Sequence, residues 1–310
     1  MRCFVTGGVG FIGSNLVDYL IKEHKVTVYD NLSLGKKEFL LNHFKNKNFS
    51  FVEADLLDFE HLKKTIKGHD IVFHMAANSD ISNNEITDID LKNGTIATYN
   101  VLELMRIYKI KQIIFASTSA VYGEAKIKPT NEDYGPLFPI SFYGASKLAC
   151  EGLISSFCHN FKMKAWIFRF ANVVGKNGTH GVLVDFIKKL RSYNKKLLIL
   201  GDGKQSKPYL HVKDCVEGMI YAWNNSKEEF NYFNLGCDDA TSVDEIAKMV
   251  VREMALKNVK FEYTGKDRGW PGDVPQVRLD TSKINKLGWK ARLSSDEAVR
   301  KAIKELLKQV

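Results

Sequence analysis

The sequence predicts an α/β protein built on a Rossmann-like, doubly wound parallel sheet, and three observations lead to that fold class. Short runs rich in β-branched residues alternate with amphipathic stretches of helical period through the first half of the 310 residues. A glycine-rich turn directly follows the first run, and an acidic residue ends the second run. Such alternation produces parallel strands with helices on both faces of the sheet.

The predicted elements divide the chain into two regions. Buried strands are expected at 2–6, 26–29, 49–53, 70–74, 112–116 and 165–168, with helices between them at 12–23 and 95–108. Beyond residue 169 the loops lengthen, with helices near 182–192, 213–224, 242–256 and 295–308 and strands near 231–235 and 259–263. We therefore expect a dinucleotide-binding domain at 1–170, joined by parts of 209–236, and a smaller α/β substrate-binding region at 171–310. The cleft between them is the expected site.

Composition is that of a globular protein. Hydrophobic residues make up 45% and charged residues 26% of the chain, and no apolar run approaches the ~20 residues of a membrane helix. The first strand occupies the place of a signal peptide, and the five scattered cysteines predict neither disulfides nor a zinc site, so a reducing cytoplasm is expected. The net charge is +9, but the lysines do not cluster or interleave with aromatic residues, so nucleic-acid binding is not expected.

The turn after the first strand has the pattern of a dinucleotide-binding loop. The segment Thr6-Gly7-Gly8-Val9-Gly10-Phe11-Ile12-Gly13 contains G-x-G-x-x-G. Glycines let the backbone approach a pyrophosphate, and the N-terminus of the helix that follows offers free N–H groups. Asp30, at the end of the second strand, is suited to accept hydrogen bonds from the adenosine ribose and to repel the 2′-phosphate of NADP. NAD is therefore the expected cofactor.

A second pattern, Tyr143-Gly144-Ala145-Ser146-Lys147, places a phenol and an ammonium on one face of a helix. A phenol with its ordinary pKa near 10 is a poor base at neutral pH, and a nearby cation favours the phenolate. The pair is a candidate for taking a proton from a hydroxyl. His74 is interpreted as structural because no second ligand stands at metal spacing, so no metal is expected. Cys150 and Glu151 are interpreted as packing and surface residues.

These motifs resemble those of the extended short-chain dehydrogenase/reductases, in the group of nucleotide-sugar epimerases and dehydratases. The resemblance covers essentially the whole chain and includes Asp55-Leu56, His74-Met75-Ala76-Ala77, the segment 115–123 that ends in Val121-Tyr122-Gly123, and Arg169-Phe170-Ala171-Asn172. It implies NAD contacts from Gly7, Gly10, Phe11, Ile12, Gly13, Asp30, Asn31, Leu32, Ser33, Gly35, Asp55, Leu56, Met75, Ala76, Ala77, Asn93, Tyr143 and Lys147. It also places the catalytic hydroxyl four residues before the tyrosine of V-Y-G, which selects Thr118 as the catalytic partner of Tyr143 and Lys147.

The resemblance also bears on the reaction. The 4,6-dehydratases of the group follow their threonine with Asp and Glu, which eliminate water, whereas this chain has Ser119 and Ala120 there. The decarboxylases also carry an acid in that loop. We therefore expect NAD-dependent epimerisation at C4 of a nucleotide sugar, such as UDP-glucose, UDP-galactose or their N-acetylated forms, through a 4-keto intermediate. The alternatives are a UDP-glucuronate 4-epimerase, an NDP-sugar 4,6-dehydratase and, disfavoured because Tyr143 and Lys147 are both present, a non-catalytic NAD sensor.

By the same resemblance, the nucleotide sugar would contact Ser79, Thr118, Asn172, Lys207, Tyr209 and Arg268. Ser79 replaces a lysine of the best-known galactose epimerases, and Lys207 replaces an arginine, which keeps the charge but loses the bidentate fork. The usual R-x-G-D is here 270–273, with tryptophan in the arginine's place and Arg268 two positions earlier. Val277 stands where the family carries a bulky tyrosine beside the sugar, which predicts room for an N-acetyl group.

The helices expected at 95–108 and 142–161 carry more apolar residues than one buried face requires. Their counterparts in the family pair across a dimer, so the resemblance implies a two-fold homodimer with a four-helix interface.

Overall fold

A seven-stranded parallel sheet forms the centre of the protein in the computed structural model, which describes residues 1–78, 86–270 and 272–309. In chain order, the strands are β1 (Arg2–Thr6), β2 (Lys25–Asp30), β3 (Phe49–Glu53), β4 (Ile71–His74), β5 (Gln112–Thr118), β6 (Lys164–Phe170), β7 (Asn172–Val174), β8 (Lys196–Ile199), β9 (Ser206–Lys207), β10 (Tyr209–His211), β11 (Phe230–Leu235), β12 (Thr241–Ser242) and β13 (Lys260–Tyr263). The central sheet has the order β3-β2-β1-β4-β5-β6-β11. The remaining strands form the pairs β7 with β10, β9 with β12, and β8 with β13. The predicted fold class is confirmed.

Helices cover both faces of this sheet, and further helices build the later part of the chain. They are α1 (Phe11–Leu20), α2 (Phe59–Ile66), α3 (Ala97–Ile107), α4 (Phe142–Phe161), α5 (Val182–Ser192), α6 (Val212–Asn225), α7 (Val243–Glu253), α8 (Ser282–Leu287) and α9 (Ser295–Leu307). Capping fixes several of their starts. The Ser141 hydroxyl accepts the Gly144 N–H at 3.1 Å at the start of α4, and α7 and α9 each begin with a capping box.

Helix α3 differs from the sequence-based expectation of a regular helix over 95–108. A π-helical segment, Leu91–Ile96, leads into it. Gly94 lies in that segment against α4, where a Cβ would stand 2.1 Å from the Ser146 Oγ. This close packing of two helices depends on tertiary contact, which the apolar spacing does not report.

Three apolar clusters fix the layers. Val5, Leu16 of α1 and Met219 of α6 belong to the cluster on one face of the central sheet, while Leu102 of α3 and Ile154 of α4 belong to the cluster on the other. A third cluster joins α5, α7 and α9 to strands β8 and β10. The later part of the chain therefore has its own core, while α6 and β11 pack with the central sheet.

The direction of strand order reverses at β1, which pairs with β2 on one side and β4 on the other. In sheets of this kind a crevice opens at the carboxyl ends of the strands beside such a reversal. Thr6 and His74 end β1 and β4 opposite each other, and Asp30 and Thr118 end β2 and β5. The topology therefore brings the predicted site residues to one edge. No helix of the described residues is long and apolar enough to cross a membrane.

Candidate active site

The glycine turn is shaped so that side chains are excluded from it. Gly7 has φ +67°, and a Cβ there would stand 2.6 Å from the Ala76 backbone nitrogen. A Cβ on Gly13 would stand 2.1 Å from the Gly7 carbonyl oxygen. Helix α1 starts directly after Gly10 without a side-chain cap, so its first N–H groups have no partner within the helix. The turn has the open backbone and free N–H groups that a pyrophosphate requires.

Asp30 is held by the turn itself. Its carboxylate accepts the Val9 N–H at 3.2 Å and the Leu32 N–H at 2.9 Å. Burial raises the Asp30 pKa, and these two N–H groups oppose the rise. The carboxylate is thereby fixed where the second strand of the sheet ends, which suits contact with ribose hydroxyls.

The other predicted adenosine contacts surround Asp30. The Asn31 side chain donates to the Asp55 carboxylate at 2.8 Å and accepts the Ser33 N–H at 3.0 Å. Leu56 is buried. Gly35 packs against the glycine turn, where a Cβ would stand 2.7 Å from the Val9 carbonyl oxygen. The structure thus brings the loops after β2 and β3 together around the turn.

The predicted contacts after β4 continue the same edge. The Met75 N–H donates to the Thr6 carbonyl at 3.1 Å, and the Ala76 N–H to the Thr6 hydroxyl at 3.3 Å; Ala77 follows. Asn93 lies in the π-helical segment and is partly exposed. The predicted substrate contact Ser79 lies outside the described residues. The NAD contacts of these residues stay predictions.

Three side chains meet at the end of β5. Thr118 ends that strand, and its hydroxyl accepts the Ala120 N–H at 3.1 Å. Tyr143 lies in the first turn of α4, beside Thr118. One turn later, the Lys147 ammonium donates to the Ala116 carbonyl at 2.6 Å and lies 5.9 Å from the centre of the Tyr143 ring. The helix therefore presents phenol and ammonium to one place.

Burial dominates the electrostatics of this cluster. It lowers the pKa of Lys147 to about 8. It also raises the pKa of Tyr143, as does the negative charge of Asp90, while the hydrogen bond to Thr118 lowers it. The sequence suggested that Lys147 favours the phenolate. In this structure desolvation and Asp90 outweigh that effect.

A second cluster lies on the later part of the chain. Asn172 begins β7 and pairs with Tyr209 of β10, and burial raises the pKa of the Tyr209 phenol. The Lys207 ammonium donates to the Asp273 carboxylate at 2.5 Å and lies 5.3 Å from the centre of the Trp270 ring. Polar and cationic side chains are thereby collected beside the central sheet.

Arg268 joins this cluster from the other side. Its guanidinium donates to the Asp273 carbonyl at 3.2 Å and to the Glu124 carboxylate at 2.5 Å. Glu124 follows the turn after β5, so Arg268 spans the two clusters. Its side chain is partly exposed.

The family follows from comparison with known proteins. The model of the NAD dependent epimerase/dehydratase family matches residues 3–236. The chain belongs to this family. It is therefore an NAD-dependent enzyme of the nucleotide-sugar epimerase and dehydratase type, with the fold of the extended short-chain dehydrogenase/reductases.

The chain is similar over its whole length to relatives of different specificity. A crystal structure of a UDP-galactose 4-epimerase is 37% identical, with a TM-score of 0.90 and 100% of both chains covered. The UDP-N-acetylglucosamine 4-epimerase of Methanobrevibacter ruminantium is 30% identical, with a TM-score of 0.88, 100% of this chain and 99% of that one covered. The UDP-N-acetyl-alpha-D-glucosaminuronate decarboxylase of Bacillus cytotoxicus is 30% identical over 92% of this chain and 91% of the relative.

In this epimerase/dehydratase-family enzyme the cofactor's chemistry is to accept a hydride on the nicotinamide ring and give it back. The glycine turn and Asp30 are the residues that fit its pyrophosphate and adenosine ribose. Tyr143, beside Thr118, is placed to exchange a proton with a sugar hydroxyl. Lys147 carries a positive charge beside the phenol. The arrangement suits removal of hydrogen from an alcohol carbon.

One expectation about α4 is wrong. Glu151 is not a surface residue: it is buried and forms an ion pair with Arg169 of β6 at 2.7 Å. The Ser117 hydroxyl also donates to Glu151, at 2.5 Å. The signal in the sequence was Arg169 at the end of a buried strand, since a buried guanidinium requires a counterion. This pair fastens α4 to the two strands that carry the site.

His74 is buried, as its interpretation as a structural residue requires. Its ring contacts the hydroxyls of Thr6 and Thr98 at 2.7 and 2.9 Å. Burial lowers its pKa to about 3, so the ring is neutral at neutral pH. In residues 1–78, 86–270 and 272–309 no group of His, Cys, Asp and Glu side chains is arranged to hold a metal ion.

Proposed function

We propose that the enzyme epimerises UDP-hexoses at C4. The observation that carries this proposal is the cluster at the end of β5, where Thr118, Tyr143 and Lys147 meet and the next residues are Ser119 and Ala120. Those two side chains supply no acid or base for removing water, so oxidation and re-reduction are the steps that the cluster supports.

In the proposed reaction Tyr143, as phenolate, removes the proton of the 4′-hydroxyl. The C4 hydrogen leaves as a hydride, and the sugar becomes a 4-keto sugar. After the sugar turns over, C4 regains the hydride on its opposite face and Tyr143 returns the proton to the oxygen. Lys147 stabilises the phenolate by its charge, and Thr118 hydrogen-bonds the phenol and the sugar oxygen. The net change is stereochemical, with no net oxidation.

The second cluster is proposed to hold the diphosphate. Lys207 and Arg268 supply positive charge, and Asn172 and Tyr209 supply polar contacts on neighbouring strands. Each cation is paired with a carboxylate, Asp273 or Glu124, and those carboxylates keep the cations in place before an anion binds. The division of labour follows the two regions: 1–170, with parts of 209–236, for NAD, and 171–310 for the nucleotide sugar.

Val277 favours a substrate range that includes N-acetylated sugars. It packs against the apolar cluster that includes Val121 and Tyr122, which follow Thr118 in the chain. A valine there leaves more space than the family's tyrosine. The 30% identical relative that acts on UDP-N-acetylglucosamine supports testing such substrates.

The decisive test is to incubate the purified enzyme with UDP-glucose, UDP-galactose, their N-acetylated counterparts, UDP-glucuronate and dTDP-glucose, and to identify products by NMR. Conversion of a UDP-hexose to its C4 epimer is expected. Accumulation of a 4-keto-6-deoxy sugar would instead identify a dehydratase, and loss of carbon dioxide from a uronate a decarboxylase. If the enzyme acted only on UDP-glucuronate, the proposed epimerisation at C4 would stand, but its substrate would be a uronate.

NAD should be conserved over many turnovers, because the hydride returns to the sugar. The enzyme is expected to bind NAD far more tightly than NADP, since Asp30 faces the adenosine ribose. Stoichiometric consumption of NAD during turnover would contradict epimerisation and indicate a dehydrogenase.

The same proposal includes a cytoplasmic homodimer. Apolar side chains of α3 and α4 are exposed, among them Tyr99, Ile107 and Phe161, and a two-fold axis would bury them in a four-helix interface. Sedimentation at micromolar concentration should show a dimer. Tyr99→Asp should shift it towards monomer, whereas Tyr193→Asp, a change at an exposed tyrosine after α5, should not. A wild-type monomer would exclude the interface.

A further inference from the structure

Asp90 is a buried carboxylate next to the catalytic helix. Only 7% of it is exposed, and it immediately precedes the π-helical segment. Its Oδ1 accepts the Asn78 side-chain amide at 3.2 Å. Its backbone carbonyl accepts the Ser146 hydroxyl at 2.7 Å. Because Ser146 lies between Tyr143 and Lys147 in α4, this bond ties Asp90 to the helix that carries both groups.

Packing around Ser146 fixes this arrangement. The Thr95 hydroxyl lies 3.0 Å from the Ser146 hydroxyl, and Gly94 leaves no room for a side chain beside it. The π-helical segment and α4 therefore meet at a close, hydrogen-bonded contact. Asp90 is held at the edge of that contact, one hydrogen bond away from the helix turn that carries Tyr143 and Lys147.

The charges around Tyr143 and Lys147 single out Asp90. Glu151, on the far side of Lys147, is neutralised by its ion pair with Arg169. Burial raises the pKa of the Cys150 thiol, which stays protonated, and the His74 ring is neutral. Among the described residues that act on both groups, Asp90 thus supplies the negative charge that no ion pair offsets.

We propose that Asp90 is a positioning residue that acts through Lys147 and Tyr143: its carboxylate stabilises the Lys147 ammonium and sets the pH range in which Tyr143 exchanges its proton. The inference rests on the proposed role of Tyr143. A negative charge favours the protonated form of both neighbours. Removing it should therefore lower the pKa of the Lys147 ammonium and of the Tyr143 phenol together.

Asp90→Asn tests this with little change of shape, since the amide oxygen still accepts from Asn78 and the backbone bond to Ser146 stays. The matched control is Asp88→Asn, two residues earlier, where an exposed carboxylate pairs with Lys92 at 2.6 Å. Both variants lose one negative charge from the same segment. Only Asp90→Asn should affect the site.

The first measurement does not depend on activity. Carbon-13 NMR of labelled lysine side chains follows the titration of Lys147, whose signal is the one missing in Lys147→Met. The midpoint in Asp90→Asn should lie about one pH unit below that of the wild type, the smaller end of what a nearby opposite charge produces. The midpoint in Asp88→Asn should equal that of the wild type.

The second measurement is the pH profile of kcat. The profile reports the titration of Tyr143 and Lys147, and loss of the negative charge lowers the pKa of both groups, so the whole profile should move to lower pH in Asp90→Asn by about one unit. Asp90→Glu keeps the charge and should restore the wild-type position. If Asp90→Asn does not fold, Asp90→Ser provides a second neutral variant.

An unchanged Lys147 midpoint in a folded neutral variant would overturn the proposal, as would a fall in kcat without movement of either limb, which is what a purely structural role produces. Failure of the proposed function looks different: the enzyme would make another product, while the NMR midpoint would still report on Asp90.

Discussion

Each of the two clusters of the site contains one lysine, and the two lysines differ in burial and in partner. Lys147 is 3% exposed and donates to a backbone carbonyl beside the ring of Phe115. Lys207 keeps 15% of its side chain exposed and donates to the carboxylate of Asp273. Burial lowers the pKa of Lys147 to about 8. The buried ammonium of Lys147 therefore lowers the stability of the folded protein, whereas the charge of Lys207 is compensated by Asp273.

The different environments of the two lysines suit them to different functions. A cation that forms no ion pair interacts strongly with its charged and polar neighbours, because a low-polarity environment screens it little. A cation in an ion pair, such as Lys207, contributes to stability. When an anionic group of the substrate binds, the cation interacts with that group as well as with its carboxylate. We therefore expect changes around Lys147 to alter kcat, and changes around Lys207 to alter KM and stability.

Tyr143→Phe should have the largest effect. The variant loses the proton acceptor with little change in volume, so kcat should fall by about 10²–10⁴, the usual contribution of a general base. NAD binding and the thermal unfolding midpoint should stay close to those of the wild type. A folded, NAD-loaded variant with nearly wild-type epimerisation would refute the assignment of the kcat effect to this cluster.

Lys207→Met should have the second largest effect, and it should change KM and stability instead of kcat. It leaves Asp273, which is 3% exposed, without its cation, so the free energy of unfolding should fall by about 3 kcal/mol. KM for the nucleotide sugar should rise about tenfold or more, as expected for loss of one charge-assisted contact. Lys204→Met, at an exposed lysine of the same loop, is the control. If Lys207→Met lowered kcat alone, the proposed difference between Lys147 and Lys207 would be wrong.

Lys147→Met should raise the free energy of unfolding, whereas Lys207→Met lowers it. At pH 7 the folded protein holds a buried ammonium at a cost, and the variant removes it, so the free energy of unfolding should rise by about 1–3 kcal/mol. The wild type becomes more stable between about pH 8 and 10.5, because the folded lysine loses its proton before the unfolded one does. The gap between the two proteins in urea unfolding should narrow over that range. A gap independent of pH would show that Lys147 imposes no such cost.

The Thr118 variants should show the smallest effects. Thr118→Ser keeps the hydroxyl and should lower kcat least, whereas Thr118→Ala should cost more, though less than Tyr143→Phe. The Thr118 hydroxyl also caps the turn at Ala120, so Thr118→Ala should lower stability by about 1 kcal/mol. Measuring kcat and unfolding together separates the two roles. Equal kcat for the serine and alanine variants would exclude a role of the hydroxyl in proton transfer.

Much of the fold and part of the site follow from local sequence. The alternation of apolar runs and helical periods is a local property, and it predicted the parallel sheet because buried strands and amphipathic helices each have their own spacing. The glycine turn, Asp30 and the pair Tyr143 and Lys147 are equally local: strand, turn and helix follow one another without a break, and residues four apart share a helix face.

Tertiary structure decided what depends on residues distant in the chain. The ion pair of Glu151 with Arg169 and the position of Asp90 beside Tyr143 depend on contacts between elements, and no spacing within one element reports them. The same holds for the reach of Arg268 to Glu124 across 144 positions. Local patterns set which elements form, because hydrogen bonding and side-chain spacing act over a few residues. Charges act through space, so the pKa values that govern the chemistry were settled only when the elements packed together.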